Sequence, residues 1–206
     1  EFRRVLFRSD DNVDISNLQR QILFDMKDAG GSKVKAAKAH LETLNPDISI
    51  SCFAERLDAS NALRIMGGYD VIVDGTDNFA TKFLINDAAI KLGKPVVYGS
   101  ILGFEGQVSV FWAKEGPCYR CLYPAPPSGY VPNCAEAGVI GALAGIIGSV
   151  QSMEVIKLVV GGPAFRPLIG KLWITDARTM QTSSFAIPKN PACPVCSKTP
   201  EDIIRS

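Results

Sequence analysis

Two Cys-x-x-Cys pairs, "CYRC" at 118–121 and "CPVC" at 193–196, carry the strongest chemical signal in the chain. The thiolates of Cys118, Cys121, Cys193 and Cys196 can surround one Zn²⁺ tetrahedrally. Such a site is closed to substrate and therefore structural. The hooks lie further apart than those of a single zinc finger, so a metal there would pin a Pro-rich crossover to the C-terminal tail. Redox-active pairs or disulfides are the competing reading of the same spacing.

A second set lies in "DISNLQRQ" (14–21). Arg20 presents a permanently charged planar fork suited to phosphate oxygens, and Asn17 can donate from its amide. Lys33 falls in the first turn of a helix opening at Ser32, where backbone N–H groups also point outward. Together these groups can grip a polyphosphate, whereas each alone also reads as part of a solvated basic turn. A third set, "DGTDN" (74–78), directly follows the apolar run "DVIVD". Ligands of open α/β sheets bind beyond the carboxyl ends of strands. Asp77 is placed where a carboxylate can hold Mg²⁺ against phosphates, with Asn78 and Thr81 to steady it and Asp74 able to serve either way. The alternative is that Asp77 caps the next helix. Cys134, in "PNCAEAGV", precedes a long apolar helix whose N-terminus would lower its pKa; it is either a nucleophile or an unreactive thiol. Cys52 reads as a small core residue of a strand. His40, the one histidine, falls mid-helix among lysines and reads as a surface residue, and no Cys-His or Ser-His-Asp set exists.

These residues need elements to hold them. Val34, Ala37, Leu41 and Leu44 mark a helical face over 32–44, with Ser32 as N-cap and Asn45-Pro46 as stop. Strand 47–53, helix 59–67, strand 70–74 (apolar enough to be buried on both faces), helix 78–92 and strand 95–101 follow. That alternation implies crossover units and a parallel sheet. The grammar then changes: an alternating strand at 107–112, a Pro-rich stretch, a long apolar helix at 138–160, and a closing hairpin from "LIGKLWITD" and "SSFAI". The expected fold is α/β, Rossmann-like, mainly parallel, with a C-terminal antiparallel extension.

Composition fits one globular domain: 206 residues, 47% hydrophobic, 21% charged. A net charge of +1 offers no bulk attraction for nucleic acid or anionic membranes. No apolar run reads as long enough to span a bilayer, since the run from Val139 to Val150 is broken by glycines and soon meets Gln151, Glu154 and Lys157. With no signal peptide and four of six cysteines in hooks, a reducing, cytoplasmic setting is expected. Residues 1–9, "EFRRVLFRS", are basic and aperiodic and open with the dipeptide an EcoRI site encodes; they read as a vector or adapter remnant and are set aside from the fold. Neither G-x-G-x-x-G nor G-x-x-x-x-G-K-[ST] appears in the right context, so the first βα unit of a nucleotide fold is expected to be missing.

"SNLQRQ", the Lys in "GGSKVKAA", "DGTDN", "EGQVSVF", "CYRCLYP", "CAEAGV", "GSVQSMEVIKL" and "NPACPVC", in that order, resemble the MoeB/ThiF/HesA family of adenylyltransferases, relatives of ubiquitin-activating enzymes. The resemblance covers residues 10–197. It implies that the C-terminal Gly-Gly carboxylate of a ubiquitin-like sulfur carrier (MoaD- or ThiS-like) attacks the α-phosphate of ATP, for molybdopterin or thiamine-type sulfur transfer. It further implies that Ser16, Asn17, Leu18, Gln19, Arg20 and Lys33 line the nucleotide. By the same matches Asp77 binds Mg²⁺ beside Asn78, and the four hook cysteines bind Zn²⁺. Cys134 matches a position that some members link covalently to the carrier. A homodimer is implied as well. The family's first strand, Gly-rich loop and N-terminal arginine helix have no match, and its ribose-binding acidic position falls at Ser9, so residues 10–206 are expected to be a partial domain. A non-catalytic scaffold for a ubiquitin-like protein is the second reading, disfavoured by Arg20, Lys33 and Asp77 occurring together. A nicotinamide-dependent dehydrogenase would need a Gly-rich fingerprint.

Overall fold

The computed structural model describes residues 4–127, 129 and 138–198. The chain divides into two compact units, Glu1–Asp58 and Ala59–Ser206.

In the first unit, strand β1 (Arg4–Arg8) pairs in parallel with β2 (Ser49–Phe53), Val5 opposite Ile50 and Phe7 opposite Cys52. Helix α1 (Lys33–Leu44) supplies the crossover between them. The stretch set aside as foreign thus contributes a strand. Its core, Val5-Leu6-Phe7, is the short apolar run of a parallel-sheet strand, and the flanking arginines conceal the pattern. Val34 and Ala37 are fully buried on the inner face of α1, and Ala37 packs with Val13, Phe24 and Phe7. Ser32 occupies the N-cap position but makes no side-chain cap bond.

The second unit opens with α2 (Ala62–Gly67), then β3 (Ile72–Asp74), α3 (Phe79–Leu92), β4 (Val96–Leu102), β5 (Glu105–Phe111), the short α4 (Tyr119–Leu122), α5 (Gly141–Val160), β6 (Lys171–Asp176) and β7 (Gln181–Ala186). The sheet runs β3-β4-β5-β6-β7. Only β3–β4 is parallel; the other three pairings are antiparallel. The α/β class and the antiparallel extension are those read from the sequence. The antiparallel share is larger because the two-residue link after Leu102 leaves no room for a crossover helix. The expectation that β3 is buried on both faces is corrected at Val73, which is 53% exposed on an edge strand.

Helix α5 lies on the sheet through Leu143 and Ile147, which pack with Val108. Close seating needs glycine beneath it. A Cβ on Gly106 would stand 2.4 Å from Ile147 Cδ1, and one on Gly99 would stand 2.4 Å from Gln151 Cδ. Contrary to the sequence expectation, Gly141–Val160 is long and apolar enough to cross a bilayer. Its fully buried Glu154 accepts from Leu168 N at 2.7 Å and Lys157 Nζ at 2.5 Å.

Candidate functional site

The polar loop of the first unit is ordered by its own side chains. Ile15–Asn17 forms one 3-10 turn closed by a reciprocal cap: Ser16 N donates to Asp14 Oδ1 at 2.7 Å, and Asp14 N donates to Asn17 Oδ1 at 3.4 Å. The Ser16 bonds, from the side chain first, hold the exposed Asp14 carboxyl below the usual carboxylate range. Asn17 spends its carbonyl oxygen on the cap, so its NH₂ group stays available to donate. Arg20 Nη1 donates to Ser16 O at 3.2 Å. Leu18 packs with the Val13–Phe24–Ala37 cluster and anchors the loop, while Gln19 is exposed.

Backbone bonds fasten this loop to the glycine turn before α1. Val13 N donates to Gly31 O and Gly30 N to Val13 O, both at 2.8 Å, and Lys33 N donates to Asp11 O at 3.1 Å. Gly30, at φ 82°, takes a left-handed conformation that favours glycine. Lys33 Nζ lies 3.1 Å from Asp11 Oδ2. The sequence reading missed Asp11; it offered only an Asp-Asp-Asn run with no periodicity. Within this unit Asn17, Arg20 and Lys33 therefore belong to one tied loop assembly. His40 is half-exposed and 3.2 Å from Asp28 Oδ2.

In the second unit, Asp77 is exposed at the turn beyond the carboxyl end of β3. The N-cap of α3 is Asn78, whose Oδ1 accepts from Thr81 N at 2.9 Å. The capping explanation thus belongs to Asn78, and Asp77 is left projecting. Asp74 is buried and accepts from Thr76 N at 2.9 Å and Thr76 Oγ1 at 2.7 Å. A cavity of about 200 Å³ opens beside this turn, lined by Phe79, Tyr98, Ser100, Gln107, Tyr119 and Tyr123. Burial drives the Tyr98 and Tyr119 hydroxyls well above the usual phenol range, so at neutral pH they are neutral hydrogen-bonding groups.

The cysteine hooks meet in the same unit. Cys118 Sγ lies 3.9 Å from Cys121 Sγ and 3.6 Å from Cys193 Sγ, and Cys121 Sγ lies 3.5 Å from Cys196 Sγ. A tetrahedral ion with Zn–S bonds of about 2.3 Å requires S···S separations of about 3.8 Å, and all four sulfurs lie within 4.8 Å of one another. The donor set therefore fits such an ion, and all four cysteines are free thiols. Burial raises the Cys118 thiol, and burial with hydrogen bonds to Cys121 and Cys193 raises Cys196 to about 12. At Cys193 the same burial is outweighed by the backbone N–H groups of Val195 and Cys196, and its pKa falls.

Helix α3 carries the hook. Tyr119 N donates to Asn86 Oδ1 at 2.8 Å; Arg120 Nε and Nη2 donate to Asp87 at 2.8 and 2.7 Å, and its guanidinium lies over the Phe83 ring at 4.5 Å. Tyr119 also packs edge-on to Phe83 and Phe111. The C-terminal hook is a turn held by Cys193 N donating to Asn190 O and Ser197 Oγ to Cys193 O. Cys134 lies outside the described residues. Cys52 sits half-buried in β2 and donates to Val34 O at 3.1 Å.

A sulfur carrier protein adenylyltransferase of Thermus thermophilus is 44% identical over 196 residues, covering 92% of this chain and 72% of that protein. A probable adenylyltransferase/sulfurtransferase MoeZ of Mycobacterium tuberculosis is 46% identical over 89% of this chain and 48% of its own length. The chain thus spans under half the length of MoeZ and about three-quarters of the Thermus protein. Among solved structures, Escherichia coli MccB with ATP superposes with a TM-score of 0.79 at 17% identity, covering 94% of this chain and 59% of that one; at that identity the likeness concerns the fold. The ThiF family model matches residues 2–195, and the chain belongs to the ThiF family.

Proposed function

We propose that this chain adenylates the C-terminal Gly-Gly carboxylate of a ubiquitin-like sulfur-carrier protein at the expense of ATP. The observation that carries the proposal is the loop assembly of the first unit. Among the described residues, Asn17 keeps its amide NH₂ open, Arg20 keeps most of its fork, and Lys33 Nζ pairs with Asp11, a carboxylate that a phosphate can replace. The Thermus relative, named as a sulfur carrier protein adenylyltransferase, supplies the substrate class.

In this reading the carrier carboxylate oxygen bonds to the α-phosphorus as the bond to the bridging oxygen breaks, giving an acyl-adenylate and pyrophosphate. Charge accumulates on the phosphoryl oxygens and the leaving group, so catalysis consists of fixed cations and donors at those positions. Arg20 and Lys33 supply cations and Asn17 a neutral donor, with Ser16, Leu18 and Gln19 completing the loop. Asp77, beside Asn78, would hold Mg²⁺, which screens phosphate charge. The four hook cysteines would hold a structural Zn²⁺. A homodimer in the cytoplasm belongs to the same reading. The test is to incubate the chain with ATP, Mg²⁺ and a Gly-Gly-ended carrier and weigh the carrier by mass spectrometry. The expected result is a carrier heavier by one AMP, absent when the last glycine is deleted; an unmodified carrier overturns the proposal.

A further inference from the structure

Lys82 occupies a core position of α3, with its side chain 6% exposed. Its ammonium donates to Asp74 Oδ2 at 3.1 Å and to Gly99 O at 3.2 Å, and lies 4.8 Å from the centroid of the Tyr98 ring. Burying two opposite charges is costly, and an apolar pair of the same volume often stabilises a fold equally well. What such a pair offers instead is direction.

That direction is visible at Asp74. One carboxylate oxygen faces Lys82, and the other accepts both donors of Thr76. The backbone carbonyl of Asp74 is fixed by Gln151 Nε2 at 3.0 Å, from a side chain that also donates to Val97 O at 3.2 Å. On the far side of Asp77, Asn78 is fixed by its cap to Thr81 N. Asp77 thus lies between two anchored residues, and the anchor on its N-terminal side is a carboxylate whose other oxygen is held by Lys82 at 3.1 Å.

We infer that Lys82 is a positioning residue: acting through Asp74, it fixes the Thr76–Asn78 turn and so the direction in which Asp77 projects. The inference rests on the role given to Asp77 above, but its structural half can be measured without catalysis. In Lys82→Met, hydrogen-exchange protection of the Thr76 amide falls about tenfold or more, while the Val97 and Val108 amides keep theirs. The Mg²⁺ concentration for half-maximal carrier-dependent ATP–pyrophosphate exchange rises about tenfold, the usual effect of losing a group that orients a metal-holding carboxylate. Lys82→Arg recovers part of both. Should Lys82→Met fail to fold, Thr76→Val removes one bond to Asp74 and shifts both readouts the same way by less. A folded Lys82→Met or Thr76→Val with unchanged Thr76 protection overturns the inference. Lost protection with an unchanged Mg²⁺ requirement also overturns it, reducing the pair to a purely structural one. An unmodified chain with no exchange activity would instead defeat the adenylation reading, and the amide measurement would still decide the role of Lys82.

Discussion

Cys118 Sγ lies 3.6 Å from Cys193 Sγ across 75 residues of chain. Two remote segments therefore depend on this contact, and four buried or half-buried sulfurs left without a metal are poor packing for a turn with little core of its own. Cys193→Ser is expected to abolish the bound zinc and lower the melting temperature, as measured by elemental analysis and thermal unfolding. One zinc per chain in Cys193→Ser would remove the four-thiolate assignment. Because the ligands bind as thiolates, metal uptake releases protons, so apparent zinc affinity is higher at about pH 8 than at about pH 6.

Arg120 ties the first hook to α3. Arg120→Ala takes away a bidentate partner that leaves Asp87 little exposed, with both side chains no more than 26% exposed. The expected loss is about 1.5–3 kcal/mol in denaturant unfolding. A change within error would show that solvent satisfies Asp87 equally well.

Lys33 separates stability from activity. Its contact with Asp11, whose side chain is 63% exposed, is worth about 0–1 kcal/mol. Lys33→Ala should therefore leave unfolding nearly unchanged while pyrophosphate exchange falls about hundredfold. The opposite pattern, lower stability with full exchange, would make Lys33 a structural residue.

The cap at Asp14 has a pH signature. Its folded pKa is depressed, so its contribution is present above the ordinary carboxylate range and disappears as pH falls through the lowered value. The Ser16 amide, bonded to Asp14 Oδ1, should lose its protection and shift its NMR resonance over that acidic window. In Asp14→Ala the resonance should show no such transition.

Much of this was legible in the sequence because the signals were local. Gly93 follows α3 in a left-handed conformation, as a helix-ending glycine should. The alternation read at 107–112 formed as the antiparallel strand Glu105–Phe111, and the final hairpin formed as well. The cysteine hooks converged because ligand spacing is written directly in the chain. What stayed hidden was tertiary. Arg4 and Arg8 masked a strand whose partner lies over forty residues away. Lys82 carries no local signal, because its partner Asp74 is eight residues back on a strand. The cap read onto Asp77 belongs to Asn78, because only the backbone shows which residue sits directly before the first turn.

Arg20 and Asp77 are each expected to be required for carrier adenylation. The direct measurement is carrier-dependent exchange of labelled pyrophosphate into ATP. The unmodified chain is expected to exchange only with a Gly-Gly-ended carrier, and Arg20→Ala and Asp77→Ala are each expected to lower the rate at least about hundredfold with folding and zinc retained. Exchange at the unmodified rate in either variant contradicts it.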